Sequence, residues 1–359
     1  MTNDEIVSHW TLQMDFLQSR YDFKEALKLD FILWNWLHFS VPASPCPDYQ
    51  NSKGVTTPTL LNYLNVRTAT YLNPMMVQET EESLDAFERC IEGRWPYDHT
   101  LIHHFILKAE LRYRQGQGKE AQEVLSGILT YATNPLDLSR IYGLLGDIES
   151  AQTRYMCPLA VFKNLSKALG YAEECGDKTR IANSYARLGH AIHHQYPALA
   201  LSMQWQAQVM AEKLNDPYLA NATKLQRAYS DIQMLFAYNG KLKKPDLFKN
   251  DAEQIVRSLK RDDLPTEVLK TFYDETLSFV FGDDEPLERA LDYYQQHGAW
   301  DKVYELAENV GGRAIFAKDD SKVLRMLNVC VDAAQRMNDP MKLDRAVKGL
   351  EMYNKPSAS

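Results

Sequence analysis

Two histidines in the sequence have the spacing that a metal-binding helix uses. His190 and His194 are four residues apart, which places both imidazoles on one face of a helix, where a metal could bind them. A zinc hydrolase helix of this type carries a glutamate directly after its first histidine, but this position is Ala191. No second group of cysteines or histidines stands nearby in the sequence. We therefore expect no metal-dependent hydrolase site here.

A second candidate is the acidic stretch at residues 281–288. Asp283, Asp284 and Glu285 resemble the aspartate-rich motif with which class I terpene synthases, all-helical enzymes, bind magnesium and a diphosphate. Gly282 and Pro286 instead mark the start of a helix, where acidic residues are favoured by the free N–H groups and the helix dipole. We predict that these acidic residues cap a helix.

Other catalytic signatures are missing from the sequence. It has no phosphate-binding glycine loop, no recognisable nucleophile elbow and no dinucleotide fingerprint. We therefore expect a protein that is not an enzyme and that needs neither a cofactor nor a metal. An all-helical, metal-dependent enzyme is the third alternative that we consider.

Composition narrows the class of protein further. The 359 residues carry a formal net charge of -8, which argues against general binding to nucleic acids or to anionic membranes. Five widely spaced cysteines without a C-x-x-C pair are typical of reduced thiols in the cytoplasm. The apolar segment at residues 31–39 is far shorter than the roughly 20 residues that a membrane helix needs. With no signal peptide recognised, we expect a cytoplasmic protein that does not bind membranes.

The elements that must position any site follow from an internal repeat. Residues 167–177 and 206–216 align with their alanines, an acidic residue and a terminal aspartate in register, 39 positions apart. A second helix is predicted between them, at residues 179–195. A helical hairpin that recurs at this period cannot bury its apolar face alone, so it must stack on further copies. Since strand signals are nearly absent, we predict an all-α protein, an α-α superhelix of about seven or eight hairpins.

Several residues make the chain resemble a known repeat family. The chain resembles the tetratricopeptide repeat (TPR) at Ala109, Tyr113, Ala121, Leu125 and Ile128, which are followed by Asn134-Pro135. The TPR pattern has small residues where its two helices cross and a proline at the turn between repeats. Around Gly143, Gly146 and Gly189 the chain resembles a longer variant, of roughly 40 residues, from bacterial regulators and adaptor proteins. The resemblance covers roughly residues 60–240 well and 265–353 loosely. It implies a scaffold whose inner helices line a concave groove that binds a peptide or a partner helix.

These patterns divide the chain into four parts. Residues 1–58 are predicted to form an N-terminal helical cap and a proline-rich loop, and residues 59–240 the TPR-like repeats. Residues 241–353 are predicted to form further C-terminal helical repeats, and residues 354–359 a disordered tail.

The phase of the repeat predicts the groove residues. If Gly189 lies where two helices cross, Asn183, His190 and His193 face the groove, and the neighbouring helices contribute residues at equivalent positions. The predicted partner-binding residues are Arg140, Asp147, Asn183, His190, His193, Asn221, Lys224 and Asp231. Their mixed charge favours a polar peptide or an acidic terminus over an apolar helix. A phase error of one residue would turn half of them outward, and solvated groove residues without a ligand are the simpler alternative.

The predicted function follows from the scaffold. We expect a non-catalytic scaffold or adaptor that binds a peptide or partner protein in its concave groove. The alternative is a regulator that senses a ligand or peptide, and whose superhelix changes pitch on binding.

Overall fold

The computed structural model describes residues 2–19, 23–38, 55–72, 76–91, 98–153, 159–192, 196–237, 242 and 244–354. These ranges contain seventeen α-helices, one short 3-10 helix and no β-strand. The helices are α1 (Asn3–Ser19), α2 (Phe23–His38), α3 (Thr57–Leu72), α4 (Val77–Ile91), α5 (His99–Arg114), α6 (Gly118–Leu129), α7 (Pro135–Gln152), α8 (Leu159–Cys175), α9 (Lys178–Ile192), α10 (Pro197–Lys213), α11 (Pro217–Ala237), α12 (Pro245–Ser258), α13 (Glu267–Phe281), α14 (Asp284–Gln296), α15 (Trp300–Ala317), α16 (Asp320–Arg336) and α17 (Pro340–Asn354). None of the described helices is both long enough and apolar enough to cross a membrane.

The helices pack as eight successive hairpins followed by α17. Each odd-numbered helix packs against the even-numbered helix that follows it, from α1 with α2 to α15 with α16. The odd-numbered helices from α1 to α13 also contact one another in succession, so they form a continuous inner layer. The even-numbered helices form the outer layer. This arrangement is the predicted all-α superhelix of stacked hairpins.

The two copies of the repeated sequence occupy equivalent places in this stack. Ala172 of α8 and Ala211 of α10 are both completely buried, because a larger side chain would separate the layers. Asp177 and Asp216 cap the next inner helices, accepting hydrogen bonds from backbone N–H groups three residues on, at 3.0 and 2.9 Å. The repeat therefore records both a packing position and a helix start.

Glycines allow the two helices of a hairpin to approach closely. A β-carbon at Gly146 of α7 would lie 2.5 Å from Cδ2 of Leu165 on α8. One at Gly189 of α9 would lie 2.9 Å from both the carbonyl oxygen of Ala200 and Cγ of Gln204 on α10. Both distances are far below normal carbon contacts, so Gly146 and Gly189 are crossing positions, as the sequence predicts.

A buried ion pair fastens the N-terminal hairpin to α3. Asp30 of α2 is completely buried and accepts a hydrogen bond from Nε of Arg67 at 3.2 Å. The hydroxyls of Tyr63 and Tyr71 donate to the same carboxylate at 2.7 and 2.6 Å. The guanidinium of Arg67 also stacks on the ring of Trp34, 3.9 Å from its centroid. Three donors thus satisfy a charge that would be costly to bury alone.

The superhelix curves until its C-terminal hairpins meet the turn between α5 and α6. Gly116 in this turn has a φ of +81°, and a β-carbon there would lie 2.6 Å from Sδ of Met337 at the end of α16. It would also lie 3.5 Å from the backbone nitrogen of Asp301 in α15. A cleft of about 520 Å³ opens beside this contact and is lined from both halves, by Gln115 and Gln117 on one side and Gln295 and Trp300 on the other. We call the contact of Gly116 with Met337 the closing contact.

Candidate functional site

One face of α5 begins the candidate site. His99, His103, Glu110 and Arg114 are separated by four, seven and four residues, so they share a helical face. Glu110 and Arg114 form an ion pair at 2.5 Å. Nδ1 of His99 lies 2.6 Å from a carboxylate oxygen of Asp137 on α7, which joins the two inner helices at their first turns.

The next inner helix, α7, presents Arg140, Gly143 and Asp147 on one face. A carboxylate oxygen of Asp147 lies 3.4 Å from Nη2 of Arg187 on α9. Between Arg140 and Asp147, Gly143 leaves room for the same guanidinium, because a β-carbon there would lie 2.7 Å from Nη1 of Arg187. Gly143 therefore faces the groove, whereas Gly146 lies at the helix crossing.

The face of α9 contains four polar residues in sequence. Arg180, Asn183, Arg187 and His190 are spaced three, four and three residues apart, so Asn183 and His190 share a helix face with Arg187, which reaches Asp147 of α7. Nε of Arg180 pairs with Asp177 at 3.2 Å. The ring of His190 lies 6.1 Å from that of Tyr229 on α11, tilted by 39°. The predicted groove residue His193 lies outside the described residues.

On α11 the structure departs from the predicted phase. Asn221 is half-buried. Lys224 instead pairs with Glu212 of α10 at 3.2 Å, and Asp231 is only 1% exposed, next to Asp251 of α12. Burial, together with the like charge of the neighbouring Asp251, raises the pKa of Asp231 to about 8. Lys224 and Asp231 are therefore placed against the outer helices and not in the groove, because each of them meets an acidic group of an outer helix, Glu212 of α10 or Asp251 of α12.

Charged groups from distant hairpins converge inside the superhelix. Burial raises the pKa of Tyr113 on α5, and the charges of Asp147 on α7 and Asp301 on α15 raise it further. Burial likewise raises the pKa of Tyr218 on α11, and the positive charge of Arg114 on α5 acts in the opposite direction and lowers it. The charge of Arg187 on α9 acts on Tyr113 as well. Helices α5, α7, α9, α11 and α15 therefore border one interior space, which we call the inner groove.

The inner groove is a poorly solvated place for charge. Burial and, after it, the like charge of Arg180 lower the pKa of Arg140 to about 10. Burial raises the pKa of Asp147, against the opposing effect of Arg187. These side chains keep some exposure to solvent, but protein surrounds them on several sides. Ionic contacts made here are therefore stronger than at an open surface.

The acidic stretch at residues 281–288 is a helix start, as predicted. Asp283 caps α14, accepting a hydrogen bond from the backbone N–H of Glu285 at 3.1 Å. The carboxylate of Asp284 is held by Lys322 at 2.7 Å and by Arg313 at 3.3 Å. Across the described ranges, no cluster of three or more histidine, cysteine or acidic residues could hold a metal ion.

Sequence reasoning missed several residues of the inner groove. Arg180 and Arg187 stand three residues before and four residues after Asn183, so the same phase could have found them. Glu110 and Arg114 could have been found by applying it to α5. The approach of Asp301 on α15 to Tyr113 could not, because no local pattern shows that the chain returns to this interior after more than 180 residues.

Comparisons with known proteins show the fold. No protein-family model matches the chain, and no curated protein matches it either. Among solved structures, the chain is similar to a Rap protein complexed with competence and sporulation factor, with a TM-score of 0.51 and 13% identity over 98% of this chain and 87% of that one. It is also similar to the apo form of RapI, with a TM-score of 0.53 and 10% identity over 97% of both chains. A structure of NprR in complex with its cognate peptide NprX gives 0.53 and 13% identity over 98% of both chains. The predicted TPR-like helical-repeat fold is thus confirmed.

Proposed function

We propose that this protein is a non-catalytic, cytoplasmic adaptor or regulator that binds a short extended peptide in the inner groove. The observation that carries this proposal is the convergence of polar faces from α5, α7 and α9 on one interior. Guanidinium, carboxylate, amide and imidazole groups there match the donors and acceptors of a peptide backbone and its polar side chains. The net charge of -8 supports the absence of general nucleic-acid binding.

The polar lining of the inner groove favours an extended peptide over an apolar helix. An extended backbone offers its N–H and C=O groups to the guanidinium, carboxylate and amide groups of the groove, whereas a helix satisfies these groups internally. The similar NprR structure holds a peptide, which supports the same class of ligand for this chain.

A second candidate function is that of a sensor whose superhelix changes pitch. The closing contact favours it, because Gly116 and Met337 meet only at one curvature of the stack. A peptide that pulls the inner helices together or apart would make or break this contact, and would alter the surface offered to a partner. X-ray scattering with and without a bound peptide distinguishes the two functions, since a rigid adaptor keeps its radius of gyration.

The direct test is affinity selection from a synthetic pool of random heptapeptides. We expect the wild-type protein to enrich a subset of sequences, and the double variant Asn183→Ala/His190→Ala to lose most of that enrichment while remaining folded. A double variant of the exposed α17 pair, Asp344→Ala/Lys348→Ala, is the matched control and should select as the wild type does. Undiminished selection by the groove variant would contradict the proposed site.

A further inference from the structure

The inner groove holds a guanidinium group without an oppositely charged partner. The other charged side chains on these faces are committed: Glu110 to Arg114, Asp147 to Arg187, and Arg180 to Asp177. Among the described residues, no carboxylate lies within 4.0 Å of Arg140. Glu110 and Asp137 act on Arg140 only from a longer distance, since they pair with Arg114 and His99.

The surroundings of Arg140 make this an unfavourable place for an unpaired cation. Protein shields Arg140 from water, and Arg180 adds a second positive charge nearby. The charge of Arg140 also acts on His103 in the second turn of α5, where burial above all, and then this charge, lower the pKa of the imidazole well below its usual value. An anion bound here would offset the cost of shielding this charge from solvent.

We propose that Arg140, with Arg180 and His103 beside it, binds a carboxylate group of the peptide that occupies the inner groove. A guanidinium matches a carboxylate through two parallel hydrogen bonds, which gives both affinity and orientation. This inference rests on the proposed function and adds the chemistry and direction of the ligand.

The position of Arg140 places the bound carboxylate along the inner groove. His103, Arg140 and Arg180 all stand within the first two turns of α5, α7 and α9, whereas Arg114, Asp147 and Tyr113 stand toward the other ends of their helices. The carboxylate of the peptide therefore lies where the inner helices begin. When this carboxylate is the free C-terminus, the peptide has one direction, and the rest of it extends past Gly143 toward Asp147 and Tyr113.

Two chemical sources of the carboxylate are compatible with this site, a free C-terminus and an aspartate or glutamate side chain. The test uses sequences selected from the heptapeptide pool and resynthesised in three forms: unchanged, with an amidated C-terminus, and with each acidic residue replaced by its amide. We expect one of the two replacements to weaken binding to the wild type by about tenfold or more, which identifies the source.

Variants of Arg140 show whether this residue is the anchor. Arg140→Gln should bind the carboxylate and amide forms equally, whereas Arg140→Lys should keep part of the preference. The charge-matched control is Arg345→Gln, at an exposed ion pair of α17, and circular dichroism checks that each variant is folded. Peptide binding with no carboxylate preference, or a preference that survives in Arg140→Gln, would overturn the role of Arg140 as the carboxylate anchor. Either result would leave the proposed peptide-binding function in place. Failure of every peptide to bind would remove the proposed function itself.

Discussion

Gly143 of α7 provides the space that the guanidinium of Arg187 on α9 occupies. A β-carbon at position 143 would lie 2.7 Å from Nη1 of Arg187, and the same guanidinium reaches Asp147 at 3.4 Å. A glycine in the middle of a helix is unfavourable by roughly 0.5 to 1 kcal/mol relative to alanine. Gly143 therefore makes α7 less stable than alanine would, and it leaves the space in which the guanidinium of Arg187 lies in the inner groove.

Replacing Gly143 by alanine should separate stability from binding. We expect the free energy of unfolding to rise by up to about 1 kcal/mol, because the obstructing atom is the end of a flexible side chain. Peptide binding should weaken by roughly three- to tenfold, since Arg187 must move. Urea unfolding and titration with a selected peptide measure both effects. Gly170→Ala, in open space on α8, should stabilise without changing affinity, and a Gly143→Ala variant with wild-type affinity would contradict the role of this space.

At Gly189 the same substitution should have the opposite effect on stability. A β-carbon there would meet the backbone oxygen of Ala200 at 2.9 Å, and a backbone atom cannot yield as a side chain can. We expect Gly189→Ala to lower the free energy of unfolding by about 1 to 3 kcal/mol. Gly312→Ala, in α15 with no neighbour near the added carbon, is the control for helix propensity. Equal stabilisation in both variants would show that α9 and α10 do not cross at this position.

The buried carboxyl group of Asp231 should make stability depend on pH. Its pKa is about 8 in the folded protein, so folding holds this proton more tightly than the unfolded chain does, and stability falls as the pH rises from about 4 to about 8. The asparagine of Asp231→Asn cannot ionise. The free energy of unfolding of this variant, relative to the wild type, should therefore increase across this pH range by on the order of 1 to 4 kcal/mol. Urea unfolding at pH 4.5 and pH 8 measures it, with the exposed Asp344→Asn as control. If the difference in unfolding free energy between Asp231→Asn and the wild type does not change with pH, Asp231 does not have a raised pKa.

Loss of the Asp30 charge should loosen the N-terminal hairpin. Asp30→Asn leaves the guanidinium of Arg67 without its buried carboxylate partner, and the more exposed Glu82 at 3.2 Å is the remaining charged partner. Breaking a buried ion pair on one side typically costs about 3 to 5 kcal/mol. Chemical unfolding should show this loss, while Asp15→Asn on the exposed side of α1 should change stability little. A loss below about 1 kcal/mol would indicate that the hydroxyls of Tyr63 and Tyr71 alone stabilise this contact.

The hairpins and helix caps of this structure can be predicted from short sequence patterns, whereas contacts between distant hairpins cannot. Gly189 and the aspartates at 177 and 216 predicted the hairpins and their register, because crossing positions and helix caps impose residue types locally. The phase of a single helix puts Asn183 and His190 on one face with Arg187, and their part in the groove stays a prediction. It failed on α11 for Lys224 and Asp231, since polar side chains there pair between layers. The approach of α15 to α5 depends on the curvature accumulated over five hairpins, which no short pattern encodes.

The most direct test of a peptide in the inner groove is to map where a bound peptide touches the protein. A selected heptapeptide with a photoreactive benzophenone at its central position can be crosslinked, and the modified residues identified by mass spectrometry. We predict crosslinks on the inner helices α5, α7 and α9, around Asp147 and Arg187, which the unlabelled peptide should suppress. Crosslinks confined to the outer helices, or to the N-terminal hairpin of α1 and α2, would contradict the account.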